Sequence, residues 1–379
     1  AEKNYSFSKI LIEIRPIIKE LIQQKYFRYF RVDISKECEV FEEPQKCISK
    51  SKCQLHSLTD LKIEVPNEWI KEDYKKKEKD KFSPLITFDI VKPKKQIYNS
   101  WSIDNVTDTS VYIDLLKDKE MFTGYQGQDI WRRVYEDNCY ILSKKCGRNE
   151  FMSKVVSGMH TSVSSHLSEY CIDLDKNNSF IFPNINQYFR QVGSYKERME
   201  NLIFAVQVLL RALLASINKL QSFKIETDDL KDDLKTSSLL SLLLNKFYDF
   251  KQDDFNSKNI FIDNISIEEQ KSLYLEYFSN ILKLMDCVDC QKCRVYGKMQ
   301  LLGLGFALRQ LIDYKNENIE RNELVAFINT LNKWTESIEI IERMKKRIFV
   351  FKIKIILGLT FVLIIAERCF NYFLKRLNS

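Results

Sequence analysis

The sequence predicts a mostly α-helical fold, a single domain around a helical bundle, on three observations. Only 9 Gly and 6 Pro occur in 379 residues. That is too few for the hairpins of a sandwich or barrel, which need Gly, Asn or Asp at positive φ. Several stretches free of both residues carry apolar side chains at helical spacing. A hydrophobic content of 45% with 12% aromatics supplies a sizeable core and argues against disorder.

In chain order, residues 5–32 read as a helix with Ile10, Ile14, Ile17, Ile18, Leu21 and Ile22 on one face. Residues 33–100 read as irregular, holding Cys38, Cys47, Cys53 and a Lys-rich run. Short helices are expected at 128–138 and 150–168. A long one is expected at 196–222, striped by Leu202, Ala205, Leu209, Ala212 and Leu213. Ser266-Ile-Glu-Glu269 is a capping-box signature, opening a helix with Leu273, Leu275, Phe278, Ile281, Leu282 and Met285. Residues 323–347 read as helical again. Several apolar-faced helices point to a bundle. No composition shift precedes residue 341, so 1–340 reads as one domain and 341–379 as a basic and apolar tail. Ile355–Ala366 is twelve residues without a charge, or nineteen from Ile348 if Lys352 and Lys354 snorkel. A spanning helix needs about 20. A membrane-associated tail and a buried or partner-binding helix both remain open.

The net charge of +7 comes from 59 Lys+Arg and 52 Asp+Glu, interspersed, which excludes a nucleic-acid-binding stripe. Four sequons, at Asn4, Asn105, Asn177 and Asn264, suit a glycoprotein of a secretory compartment. Ten Cys occur, mostly in clusters, which means metal ligands or disulfides.

The sharpest signal is Cys287-Val-Asp-Cys290-Gln-Lys-Cys293, two overlapping Cys-x-x-Cys pairs. On a helix, Cys290 and Cys293 share a face. Such a pair suits reversible oxidation, and a helix N-terminus stabilises the thiolate. Three Cys cannot all pair among themselves, so one bonds elsewhere. Zinc or an iron–sulfur cluster on Cys287, Cys290 and Cys293 is the competing reading. Two further dense segments are Thr123-Gly-Tyr-Gln-Gly127 with Ile130-Trp131, and Ser157-Gly-Met-His160. On spacing alone, Trp131 and His160 read as core residues.

These segments, with Tyr26-Phe-Arg-Tyr-Phe30, Tyr135-Glu-Asp-Asn-Cys139 and Cys287 through Lys298, resemble in order those of the endoplasmic reticulum oxidoreductin family, flavin-dependent thiol oxidases of the secretory pathway. The resemblance implies a four-helix bundle that holds FAD without a dinucleotide-binding Gly fingerprint. It assigns cofactor binding to Thr123, Trp131, Ser157, His160, Arg190 and Arg198. Two Arg suit two phosphates, and Trp131 offers a flat platform. Where the family carries an Arg two residues before the matched Thr, this chain has Met121, with Arg132 a neighbouring cation. The resemblance makes Cys290–Cys293 the pair beside the flavin and Cys47–Cys53 the shuttle pair. Cys38–Cys287 and Cys139–Cys146 become structural bonds. It implies electron flow from a protein disulfide isomerase-like thioredoxin-fold partner through both pairs to FAD and then O₂, giving H₂O₂. The expected location is the endoplasmic reticulum lumen, with membrane association through the tail and no nucleic acid. Cys171 and Cys369 are left over, Cys171 reading as a free buried thiol.

Overall fold

The computed structural model describes residues 2–41, 66, 109–117, 128–137, 150–173, 180–248, 266–288, 291–312 and 318–377. Its helices are α1 (Glu2–Leu21), α2 (Lys25–Arg28), α3 (Gln128–Asp137), α4 (Glu150–Glu169), α5 (Ile185–Tyr188), α6 (Lys196–Ala215), α7 (Ile217–Gln221), α8 (Leu230–Tyr248), α9 (Ile267–Asp286), α10 (Gln291–Ile312) and α11 (Arg321–Leu377). A π-helical turn, Phe189–Gly193, joins α5 to the approach to α6. Two short antiparallel ribbons complete the described chain: β1 (Tyr29–Asp33) with β2 (Ser110–Asp114), and β3 (Cys171–Asp173) with β4 (Phe180–Phe182).

The fold is mostly α, as the sequence predicts. Helices α4, α6, α10 and α11 pack on one another as a four-helix bundle. Helix α9 lies on the outside of α10, α3 lies on α9, and α1 packs against α8 and α11. The predicted apolar stripes face this core: Leu202, Ala205, Leu209, Ala212 and Leu213 of α6 are all fully buried. Two glycines let bundle helices approach closely. A Cβ on Gly158 would lie 2.6 Å from both Ala205 Cβ and the Asn201 carbonyl of α6. One on Gly303 of α10 would lie 2.8 Å from the Ala326 carbonyl of α11. The capping box forms as read, Ser266 Oγ accepting from Glu269 N–H and Glu269 accepting from Ser266 N–H.

Three sequence expectations change. The helix expected over 5–32 stops at Leu21. After the single turn of α2 the chain becomes strand β1, with Phe30 and Val32 buried and Tyr29 and Arg31 half-buried. A two-residue alternation suits a strand, and its partner lies far along the chain, pairing Tyr29 with Asp114 and Asp33 with Ser110. The Tyr26–Phe30 motif docks on α11: Arg321 donates to the Tyr26 and Tyr29 carbonyls at 2.8 and 2.7 Å, and Asn329 to the Phe27 carbonyl at 3.0 Å. The helix expected over 196–222 breaks at Ser216, which separates α6 from α7 and whose hydroxyl bonds back to the Ala212 carbonyl at 2.7 Å. The helix expected over 323–347 instead runs unbroken to Leu377. Residues 33–100 lie outside the described residues except 33–41 and 66.

Candidate functional site

The cysteine junction lies where α9 ends and α10 begins. Cys287 caps α9, its N–H bonding to the Leu284 carbonyl. Its sulfur is bonded to Cys38, 249 residues away, across a Cα–Cα distance of 4.4 Å. Cys293 stands in the first turn of α10, fully buried and disulfide-bonded. The free N–H groups of a helix's first turn favour negative charge there, which would stabilise a thiolate once that bond is reduced. With Cys287 and Cys293 both in disulfides, neither sulfur is a thiolate for a metal.

Polar groups clamp the same junction. Lys298 is fully buried, its ammonium 2.6 Å from Asp286 at the end of α9, and it donates to the Asp33 carbonyl at 2.8 Å. Arg294 donates to the Val288 carbonyl at 2.9 Å and to the carbonyls of Ile34 and Lys36 at 2.7 and 3.1 Å. A buried cation is tolerated only when paired and hydrogen-bonded. Here that requirement ties both helices to the end of β1 and the residues that lead to Cys38.

A second cluster is built by helical spacing on three elements. Trp131 and Tyr135 share a face of α3, Ser157 and His160 of α4, Arg198 and Asn201 of α6. The Trp131 and His160 rings stack at 3.9 Å and 7°. The Tyr135 hydroxyl and His160 Nδ1 are 3.2 Å apart, and Asn201 donates to Ser157 Oγ at 3.0 Å. Burial, reinforced by the Arg198 charge, brings the His160 pKa down to about 3, so the imidazole is neutral. Burial raises the Tyr135 hydroxyl, opposed by Arg198. Arg198 donates to the Gln191 carbonyl and lies over the Tyr195 ring at 5.1 Å. Arg190 is exposed on the π-helical turn, a rare geometry often found at functional sites. Beside it in sequence, the Tyr188 hydroxyl and the Gln191 side-chain oxygen are buried with no hydrogen-bond partner among the described residues.

The structure thus brings together Trp131, Ser157, His160 and Arg198, and separately Cys38 with Cys287. Thr123, Cys47, Cys53, Cys139, Cys146, Cys290 and Met121 lie outside the described residues, as does the side chain of Cys171. Arg132 pairs with Asp129 at 2.8 Å on the exposed face of α3. Cys369 is an exposed free thiol. Sequence reading missed Asn201, the Lys298–Asp286 pair, and the contribution of Tyr135. The spacings of 131 to 135 and 198 to 201 were available as a signal for two of them. The pairing of Lys298 was not, because it crosses from one helix to the end of another.

A helical bundle carrying a buried disulfide cysteine at the start of one of its helices, with a separate cluster of aromatics and cations, defines a helical-bundle oxidoreductase. The family model described as Endoplasmic Reticulum Oxidoreductin 1 (ERO1) matches residues 13–341, and the chain belongs to that family. It is 28% identical over 369 residues to endoplasmic reticulum oxidoreductin-1 of Arabidopsis thaliana, covering 87% of this chain and 75% of that protein. It is 26% identical over 366 residues to endoplasmic oxidoreductin-1 of Saccharomyces cerevisiae, covering 88% of this chain and 63% of that one. Among solved structures, that of Ero1p, described as a source of disulfide bonds for oxidative protein folding in the cell, superposes with a TM-score of 0.67 at 22% identity. The match covers 93% of this chain and 100% of the other.

Proposed function

We propose that the protein is an FAD-dependent protein thiol oxidase of the endoplasmic reticulum lumen, associated with its membrane through residues 341–379. It would generate disulfides in a protein disulfide isomerase-like thioredoxin-fold partner. The reading is supported by the family match together with one observation, that Cys293 is held as a buried disulfide in the first turn of a bundle helix. In this reading a partner dithiol reduces Cys47–Cys53. A thiolate of that pair then attacks the Cys290–Cys293 disulfide through a mixed disulfide, and its second thiol closes the shuttle bond again. Each cycle moves two electrons and two protons inward. FAD supplies the two-electron acceptor for Cys290 and Cys293 and the donor that reduces O₂ to H₂O₂.

The residues present fit such a group. Arg190 and Arg198 supply fork-shaped donors for its phosphates, and Ser157 supplies a hydroxyl. Tyr188 and Gln191 hold buried polar atoms in want of partners. Trp131 and His160, in face-to-face contact at 3.9 Å, would offer flat apolar surface to a ring system. His160 stays neutral and hydrogen-bonded to Tyr135, which fixes the platform. Thr123 completes the proposed cofactor set, and Cys139–Cys146 a structural bond.

The test is an absorbance spectrum of the purified protein combined with oxygen uptake on a reduced thioredoxin-fold substrate. Flavin bands and uptake are expected, with uptake lost in Cys293→Ala. A colourless protein with stoichiometric zinc or iron, or full turnover in Cys293→Ala, would sink the reading.

A further inference from the structure

Helix α11 is two helices in one. Up to Met344, which is fully buried, it serves the bundle; from Phe349 to Phe370 every residue is exposed. Among the described residues this is the one helix long and apolar enough to cross a bilayer, and none of its most apolar eighteen residues is buried. That stretch, 348–365, is about 27 Å long at 1.5 Å per residue, close to the roughly 30 Å hydrocarbon core of a bilayer. From Ile355 to Ala366 its surface has no charged side. Phe361 through Ile365 are consecutive, apolar and exposed, and five residues at 100° each sweep the whole circumference. A protein groove or a second copy would call for a single stripe. An apolar surface on every side calls for an apolar solvent on every side. Thr360 hides its hydroxyl by donating to the Ile356 carbonyl at 2.9 Å, as a lipid-facing helix requires. Lys352 and Lys354 near one end can snorkel, and Arg368 follows at the other.

The bundle fixes how far the redox cysteines stand from that stretch. Helices α10 and α11 run antiparallel: Arg309 pairs with Glu323, Phe306 packs on Phe327, Thr330 donates to the Met299 carbonyl, and Lys333 lies over the Tyr296 ring. One turn further back along α10, Cys293 is therefore level with about residue 337 of α11. The apolar stretch starts at residue 348, roughly 16 Å further along the same helix. We propose that the second half of α11 is a transmembrane helix continuous with the bundle, which places the Cys293 end of the bundle against the bilayer, about 16 Å above its hydrocarbon boundary. This rests on the membrane association proposed above and specifies its geometry. It is independent of the thiol chemistry. A folded partner must then approach the cysteines along the plane of the membrane.

The experiment uses the full chain reconstituted in phosphatidylcholine vesicles and two tryptophan variants at exposed positions, Phe349→Trp and Phe361→Trp. Lipids brominated near the headgroup or near the chain ends serve as quenchers. The four native Trp all lie outside 348–365. The spanning helix expects Phe361→Trp to be quenched severalfold by chain-end bromines and Phe349→Trp only by those near the headgroup, with the chain resisting alkaline carbonate. Equal depth for the two positions, with release by carbonate, would mean a helix lying on the surface; it overturns the spanning geometry while membrane association stands. No flotation with vesicles and no quenching, the chain self-associating instead, would overturn both. Oxygen uptake in detergent reads the enzyme assignment separately from either outcome.

Discussion

The cysteine junction and the aromatic cluster are held by different means. At the junction, one covalent bond, one buried ion pair and four carbonyls fix the end of α9, the start of α10 and the chain around Cys38. At the cluster, three helices meet through ring stacking and two side-chain hydrogen bonds, and on the π-helical approach to α6 two buried polar atoms have no partner among the described residues. The first arrangement is over-determined, as the proposed disulfide exchange would require of sulfurs that must stay in register. The second is where the proposed cofactor would be held. The contrast teaches that covalent and ionic clamping can be confined to one part of a bundle while another is held by ring contacts and neutral hydrogen bonds.

Breaking the ion pair tests the over-determined side most severely. Lys298→Met strands Asp286 and is expected to cost about 3–5 kcal/mol in urea unfolding. Adding Asp286→Leu should restore much of that, since replacing both buried charges is often neutral. Removing the covalent bond with Cys38→Ala and Cys287→Ala together is expected to cost roughly 2–5 kcal/mol by the same measurement. Gly158→Ala sharpens the comparison from the other side. Its methyl would meet backbone of α6 at 2.6 Å and should cost about 1–3 kcal/mol by forcing α4 and α6 apart.

Acid separates the two regions without mutation. His160 and His166 have folded pKa values of about 3 and about 4, both held down chiefly by burial. The unfolded chain therefore takes up protons first as pH falls through about 6.5. The stability these neutral imidazoles contribute is fully present above that value and is lost progressively toward pH 3. The unfolding free energy from urea titration should fall by about 1–2 kcal/mol per imidazole near pH 5, and His166→Gln should flatten part of the slope. The smallest stability effect belongs to Arg198→Ala, expected within about 1 kcal/mol. Bound flavin, measured by absorbance after gel filtration, should nonetheless fall severalfold.

The helical architecture was legible because each stripe, such as Leu202 to Leu213, is a local pattern that tertiary packing merely uses. The capping box at Ser266 was legible for the same reason. Strand β1 was not, because a five-residue ribbon becomes stable only through a distant partner, Tyr29 pairing with Asp114 and Asp33 with Ser110. The break at Ser216 was hidden because serine continues a helix or ends one with equal ease. In the site, residues three and four apart on one helix could be grouped in advance, but the meeting of α3, α4 and α6 could not. Lys298 could be quoted as the end of the motif that starts at Cys287, but its burial and its pairing with Asp286 could not be read from that spacing.

The disulfide between Cys38 and Cys287 also works as a mooring. Cys47 is the ninth residue after Cys38, so a fully stretched leash lets it stray no further than about 32 Å from its tie-point. That tie-point is three residues from Cys290. If Cys47 exchanges with Cys290 as proposed, that encounter is governed by tether length and not by protein concentration.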